Sequence, residues 1–400
     1  MTRDLCVLAY SGGLDTSALI PYLMENHGVD VVAALVDVGR AKDLEMLRER
    51  ALAAGAVDAV IIDAKEEFVR EFVLPALAAN ALYEERYPLV SALSRPLISK
   101  KMVELAQEKG ARSIAHGCTA KGNDQVRFDV SIRCLDPTID VLGPAREWNM
   151  TRPEILDYVA SRGIEIPLTK KNPFSIDENV WGRTIECGEL EDPWESPPDE
   201  AFTVTVDPRL APDDGAEVVV GFERGIPVSL DGVWMEPLTL IDTIDELGGR
   251  HGFGRIDMIE NRLVGIKSRE IYETPGALAL ILAHKEIEDL VLTRDLLHFK
   301  RGVEQRLADM IYDGQWFSPL ADALKAFVAH TQIRVTGEAR LLFYKGSCTV
   351  RGRRSPNSMY VEELATYGAG DRFSHESAKG FVDLWGLPLE VWARRAPGDS

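Results

Sequence analysis

Cysteine is scarce in this 400-residue chain: Cys6, Cys118, Cys134, Cys187 and Cys348 form no C-x-x-C pair and no cluster with histidine at metal-ligand spacing. That excludes a disulfide scaffold and a zinc module, and reads as reduced thiols. Positive charge is in deficit too. Forty-five basic against 64 acidic residues leave a formal net charge of −19, so the surface repels phosphate backbones and no nucleic-acid partner is expected. Long apolar runs are also missing: stretches such as GALALILA (276–283) fall well short of the about 20 residues that a bilayer crossing needs. The opening residues lack the charged, apolar and cleavage regions of a signal peptide. The expectation is a cytoplasmic protein with no membrane partner.

What is present is a hydrophobic fraction of 46%, enough apolar surface for two or three domains. Up to about residue 163, the apolar runs LCVLAY (5–10), VVAALV (31–36), DAVIID (58–63), RSIAHG (112–117) and IDVLGP (139–144) alternate with helical stretches at 16–25, 43–54 and 97–109. This alternation predicts an α/β fold, a doubly wound parallel sheet that binds its ligand outside the carboxyl ends of its strands. Composition shifts after Pro167. EDPWESPPDE (191–200) reads as a loop, FTVTVD (202–207) and EVVVGFERGIPVSL (217–230) as strands, 238–331 as helical and 341–350 as a strand pair. The end, from Ser374, reads as an amphipathic helix with Phe381, Leu384 and Trp385 on one face. It either packs on its own domain or grips another subunit. The expected division is a nucleotide-binding α/β domain at 1–166, an α+β synthetase domain at 167–365 and a helical oligomerisation tail at 366–400.

The first strand leads into AYSGGLDTS (9–17). Glycines at a strand-to-helix turn let backbone N–H groups approach an anion, and the helix adds the positive end of its dipole. Taken alone, SGG is equally a simple turn with Asp15 or Thr16 as cap. It is neither the lysine-bearing Walker loop nor the G-x-G-x-x-G dinucleotide fingerprint. Instead, SGGLDTS resembles the PP-loop of the ATP pyrophosphatase superfamily, whose members cleave ATP to AMP and pyrophosphate. A second polar cluster, HGCTAKGNDQVRFD (116–129), follows another strand, and its donors and acceptors suit an amino acid carrying both charges.

The second cluster resembles a signature of the argininosuccinate synthase family. So do ALYEERYPLVSALSRPLI (81–98), NPFSIDENVWGRTIECGELEDPW (172–194), GRIDMIENRLVGIKSREIYETPG (254–276) and DGQWFSPL (313–320). The resemblance implies ATP-dependent condensation of citrulline with aspartate through a citrullyl-adenylate, with magnesium, in a homotetramer. It implies that Ala9, Tyr10, Ser11, Gly12, Gly13, Leu14, Asp15, Thr16, Ser17 and Gly117 bind ATP, with Val36 beside the adenine. Thr119, Asn123 and Asp124 would hold aspartate. Tyr87, Ser91, Asn123, Arg127, Ser175, Thr184, Glu260 and Tyr272 would contact citrulline. Asp15, Asp124 and Arg127 are the candidate catalytic residues, and no side-chain metal site is expected.

From the residues alone, Tyr87 and Tyr272 read equally as core aromatics and Ser175 as a turn residue. Glu260 reads as a solvated helix charge and Arg127 as a surface ion-pair partner. His116 reads as structural. Two positions depart from the family pattern: Ala92 stands where a citrulline-binding serine is usual, leaving that contact to Ser91 or Ser94, and DVGRAKDLE (37–45) replaces a glutamine- and glycine-rich turn. A different acceptor for the adenylate, or an ATP sensor without turnover, are the competing functions. The lone cysteines count against tRNA thiolation, and a sensor gives no reason for the 123–127 cluster.

Overall fold

A computed structural model describes residues 3–40, 43–148, 150–164 and 174–395; the expected boundary at 166/167 lies outside them. In chain order the first part runs β1 (Leu5–Ala9), α1 (Leu14–Tyr22), β2 (Asp30–Asp37), α2 (Leu44–Ala53), β3 (Asp58–Asp63), α3 (Lys65–Phe68), α4 (Leu74–Ala78), α5 (Val90–Lys109), β4 (Ser113–Ala115), α6 (Asp124–Leu135), β5 (Asp140–Leu142) and α7 (Arg152–Ala160). Its five strands are all parallel, in the order β3-β2-β1-β4-β5. Alternate residues of each strand face opposite ways. Cys6, Leu8, Val31 and Ala33 join one apolar cluster, while Val7, Val32 and Ala34 join another on the other side. Burial on both faces is why these strands read as unbroken apolar runs.

The chain reverses direction in the sheet between β1 and β4, so the ends of these two strands flank the crevice where such sheets bind ligands. The glycine turn follows β1 and the 116–123 segment follows β4.

The second part adds β6 (Ser175–Asn179), β7 (Gly182–Glu186), β8 (Ala216–Glu223), β9 (Ile226–Leu230), β10 (Val233–Trp234), α8 (Pro237–Arg250), β11 (Arg255–Asn261), β12 (Lys267–Glu273), α9 (Pro275–Val291), α10 (Arg294–Tyr312), α11 (Pro319–Thr331), β13 (Gly337–Tyr344) and β14 (Ser347–Arg354). Two sheets result, β10-β9-β8-β13-β14 and β11-β12-β7-β6, both with antiparallel neighbours. By contacts the chain divides into Met1–Asn357 and Ser358–Ser400. The latter holds α12 (Glu362–Ala365) and α13 (His375–Arg394), which starts at a Ser374 cap whose side chain accepts from the Ser377 N–H.

Three sequence expectations are corrected. Residues 202–207 form no strand, because the Glu273 carboxylate takes the backbone N–H groups of Thr203, Val204 and Thr205 that a ladder would have used. The 238–331 stretch is not continuously helical: β11 and β12 interrupt it, and β11 alternates buried and exposed positions along RIDMIEN. Finally, α5 starts at Val90 and runs through Pro96, so that proline is inside the helix rather than before its start.

The end of α10 bears directly on the cleft. Gly314 takes a left-handed backbone (φ +75°), and a Cβ there would lie 2.8 Å from the Arg127 Cα. Gly314→Ala is therefore expected to destabilise the protein by about 1–3 kcal/mol, read as a lower urea midpoint. A midpoint equal to the parent's would contradict this close approach.

Candidate active site

The glycine-turn end of the site is built by β1 and α1. Gly13 is the N-cap of α1 and supplies no side-chain cap, so the N–H groups of the first turn remain for an anion. Gly12 sits at φ +74°, and a Cβ there would collide with Leu47 of α2; its carbonyl accepts from Arg50 Nη1 at 2.8 Å. The hydroxyls beside the turn are held in place: Tyr10 Oη lies 3.0 Å from Ser17 Oγ, and Ser11 Oγ lies 3.2 Å from Thr16 Oγ1. Burial raises the Asp15 carboxyl above its ordinary value, and Arg152 opposes that.

At the other end, α6 and the strands β6, β7, β11 and β12 bring charged groups together. Asp124 begins α6; its Oδ2 accepts from Arg95 Nε at 2.9 Å and its Oδ1 from Arg127 Nη1 at 2.8 Å. Burial alone would push this carboxyl up, but the two guanidinium groups outweigh it and hold it at about 2. Arg95 also donates to Asp177 Oδ2 at 2.6 Å. Arg127 donates Nε to the Tyr312 carbonyl at 2.9 Å, and its Nη2 has no partner among the described residues. Glu260 points inward from β11: Tyr272 donates its hydroxyl to one carboxylate oxygen and Tyr312 to the other, and burial raises the carboxyl above its ordinary range. Tyr87 stacks on Tyr272 with centroids 4.2 Å apart, and the Tyr87 hydroxyl accepts from the Ser91 N–H at 2.9 Å.

Many of these groups surround one cleft of about 690 Å³. Ala9, Tyr10, Ser11, Gly13, Leu14, Asp15, Thr16, Val36 and Gly117 line it at the end formed by the glycine turn. Tyr87, Ser91, Thr119, Asn123, Asp124, Arg127, Ser175, Thr184, Glu260 and Tyr272 line the remainder. Gly12 and Ser17 do not line it: Gly12 packs outward on α2, and Ser17 is fully buried against Tyr10.

Two alternative readings, those of Glu260 and Arg127, are overturned. Glu260 is on a strand and 4% exposed, so it is not a solvated helix charge; Arg127 is equally buried, so it is not a surface partner. His116 is fully buried: its Nδ1 accepts from the Cys118 N–H at 3.3 Å, which leaves the proton on Nε2 to bond Asp129 at 2.8 Å. Ala92 is buried in the apolar core, Ser91 lines the cleft, and the Ser94 hydroxyl donates to the Ser91 carbonyl. Arg40 lines the cleft and its guanidinium pairs with Asp245 of α8.

Sequence reasoning missed a second charged group in the cleft wall. Arg262 Nη2 donates to Glu186 Oε2 at 2.5 Å and Glu270 Oε1 at 2.7 Å, and its Nη1 to the Lys121 carbonyl at 3.2 Å. Once β11 and β12 are paired as a hairpin, Glu260, Glu270 and Tyr272 fall on one face of it.

An open helix N-terminus at one end and paired carboxylates and guanidiniums at the other place the chain among the nucleotide-using synthetases built on a parallel sheet. A family model for the arginosuccinate synthase N-terminal HUP domain matches residues 5–165, and one for the arginosuccinate synthase C-terminal domain matches 174–392. The argininosuccinate synthase of Halalkalibacterium halodurans is 55% identical, over 98% of this chain and 96% of the relative. That of Symbiobacterium thermophilum is 54% identical over 98% of each, and that of Geobacillus kaustophilus 55% over 98% of this chain and 96% of the relative. The chain belongs to the argininosuccinate synthase family.

The Glu186–Arg262–Glu270 group makes stability depend on pH. Burial, together with the charges of Glu186 and Glu260, pushes the Glu270 carboxyl up from 4.5 to about 8. A folded-state value above the unfolded one gives stability that is complete below the unfolded value and is lost as pH rises through the folded one. Glu270→Gln removes that titration. The difference in urea midpoint, variant minus wild type, should therefore rise between pH 4.5 and pH 8; a difference that stays flat across this range would contradict the assignment.

Proposed function

We propose the following division of labour for the reaction that the chain catalyses as a member of its family, the ATP-dependent condensation of citrulline with aspartate to argininosuccinate, AMP and pyrophosphate in arginine biosynthesis. The α1 N-terminus and Gly117 hold the phosphates of ATP, with Val36 beside the adenine. Gly12 gives the turn its shape and Ser17 anchors it through Tyr10. Tyr87, Ser91, Ser175, Thr184, Glu260 and Tyr272 hold citrulline, the Glu260 carboxylate pairing with its ammonium. Thr119, Asn123 and Asp124 hold aspartate. One observation supports this reading above others: the open turn after β1 and the 123–127 segment line the same cleft.

The chemistry follows from a weak electrophile. A ureido carbon is deactivated by resonance and its oxygen is a poor leaving group. Attack of that oxygen on the α-phosphorus forms an O–P bond, expels pyrophosphate and gives the citrullyl-adenylate. The ammonium group of aspartate gives up one proton to water, its amine bonds to the ureido carbon as the C–O bond breaks, and AMP departs with the oxygen and a second proton from the amine. Arg127, with a spare donor, orients the ureido oxygen. Asp124, kept ionised by Arg95 and Arg127, receives the aspartate ammonium.

Magnesium fits these residues as a companion of the triphosphate. No cluster of three metal-binding side chains exists among the described residues, but Asp15 lines the same cleft as the Ser11 and Thr16 hydroxyls, the kind of partial set that magnesium completes with phosphates and water. When bound with ATP it supplies neutralisation of phosphate charge.

The expected domains, 1–166, 167–365 and 366–400, belong to the same proposal, as do a cytoplasmic location and a homotetramer. The tail supports the last: α13 has no buried residue, and Phe381, Leu384 and Trp385 are 60%, 73% and 73% exposed. No helix among the described residues is long and apolar enough to cross a membrane.

Incubation with ATP and magnesium, omitting citrulline or aspartate in turn, tests the reaction: argininosuccinate and AMP should form only with both amino acids. ADP release, or AMP formation indifferent to citrulline, would refute it. Asp124→Asn should raise the KM for aspartate by about 10- to 100-fold and leave the KM for ATP unchanged; the reverse pattern would refute the role of Asp124.

A further inference from the structure

Tyr312, the last residue of α10, is 1% exposed and does not line the cleft, yet it touches three residues that do. The direction of its hydrogen bonds is fixed by a backbone donor. The Leu263 N–H bonds Asn123 Oδ1 at 2.9 Å, which turns the Asn123 amide nitrogen toward Tyr312, 2.7 Å from the hydroxyl oxygen. That oxygen therefore accepts from Asn123, and its own proton goes to Glu260 Oε1 at 2.5 Å. Its backbone carbonyl, one of those a helix end leaves open, accepts from Arg127 Nε at 2.9 Å. The Arg127 guanidinium carbon lies 4.8 Å from the ring centroid, and Tyr83 stacks on the ring with centroids 3.5 Å apart.

Asn123 and Arg127 come from α6 and its cap, Glu260 from β11. Asn123 alone reaches Glu260 only at 3.4 Å; the tyrosine hydroxyl bridges them with two shorter bonds. From this juxtaposition we infer that Tyr312 is a positioning residue that sets the citrulline-binding carboxylate of Glu260 and the aspartate-binding amide of Asn123 in register with each other. The inference rests on the roles proposed above for those two side chains.

Its consequence is selective. Tyr312→Phe keeps the ring for Tyr83 and the carbonyl for Arg127 but removes the bridge, leaving Glu260 Oε1 without its tyrosine donor. Hydrogen bonds to a charged group are worth enough to change binding about 10- to 100-fold. In initial-rate assays on the full chain, Tyr312→Phe should raise the KM for citrulline and the KM for aspartate together, each about tenfold or more, with the KM for ATP unchanged.

A merely structural role would lower the active fraction, and so kcat, without moving either KM, and that result would overturn the inference. If Tyr312→Phe does not fold, Tyr312→His, which keeps an aromatic ring but cannot reproduce both bonds, carries the same test with the same expected rise. Wild-type protein that formed no argininosuccinate would instead overturn the reading of the function itself, a failure visible before any variant is assayed.

Discussion

The proposed ATP site depends on one feature of the fold, the N–H groups at the start of α1 that no side chain caps. A protein with a net charge of −19 has to hold a highly charged anion, and its sheet supplies the means locally: a turn with Gly13 as cap and no side chain satisfying the first turn of the helix. Arg50 fixes the Gly12 carbonyl from behind, and Tyr10 and Ser17 lock each other beneath the turn. These contacts come from the fold itself and hold the turn in place, which is the sense in which the site is preorganised.

The second part of the chain meets this turn with the opposite electrostatics. Asp124, Asp177, Glu186, Glu260 and Glu270 line the cleft and are tempered by Arg95, Arg127 and Arg262. Carboxylates in such surroundings serve different ends. Two guanidiniums keep Asp124 ionised, so it can receive an ammonium group; Glu260 and Glu270 are pushed upward by burial and depend on hydroxyl and arginine donors. In the proposed reading, one end of this cleft takes the phosphates of ATP and the other takes the two amino acids.

Much of this was legible in the residues, for physical reasons. The parallel sheet showed itself because strands buried on both faces must be apolar throughout, and the glycine turn because close backbone approach to an anion tolerates no side chain. The β11–β12 hairpin was not legible: apolar Ile259 on an exposed position, and polar Glu260 and Glu270 on buried ones, break the apolar-in, polar-out period of two, so Glu260 read as a helix charge. The 202–207 segment misled in the other direction. Its alternation is that of a strand, but a buried carboxylate far along the chain, Glu273, claims its amides. The Arg262 group and Tyr312 escaped for the same reason: long-range pairing, not local pattern, gives them their partners.

In the proposed reaction the ureido oxygen of citrulline is the nucleophile, and it attacks the α-phosphorus of ATP held at the α1 N-terminus. Citrulline carrying an isotopically labelled ureido oxygen tests this most directly. The label is predicted to leave in the phosphate group of AMP, one labelled oxygen for each argininosuccinate formed. Label found in pyrophosphate or in water, with unlabelled AMP, would contradict it.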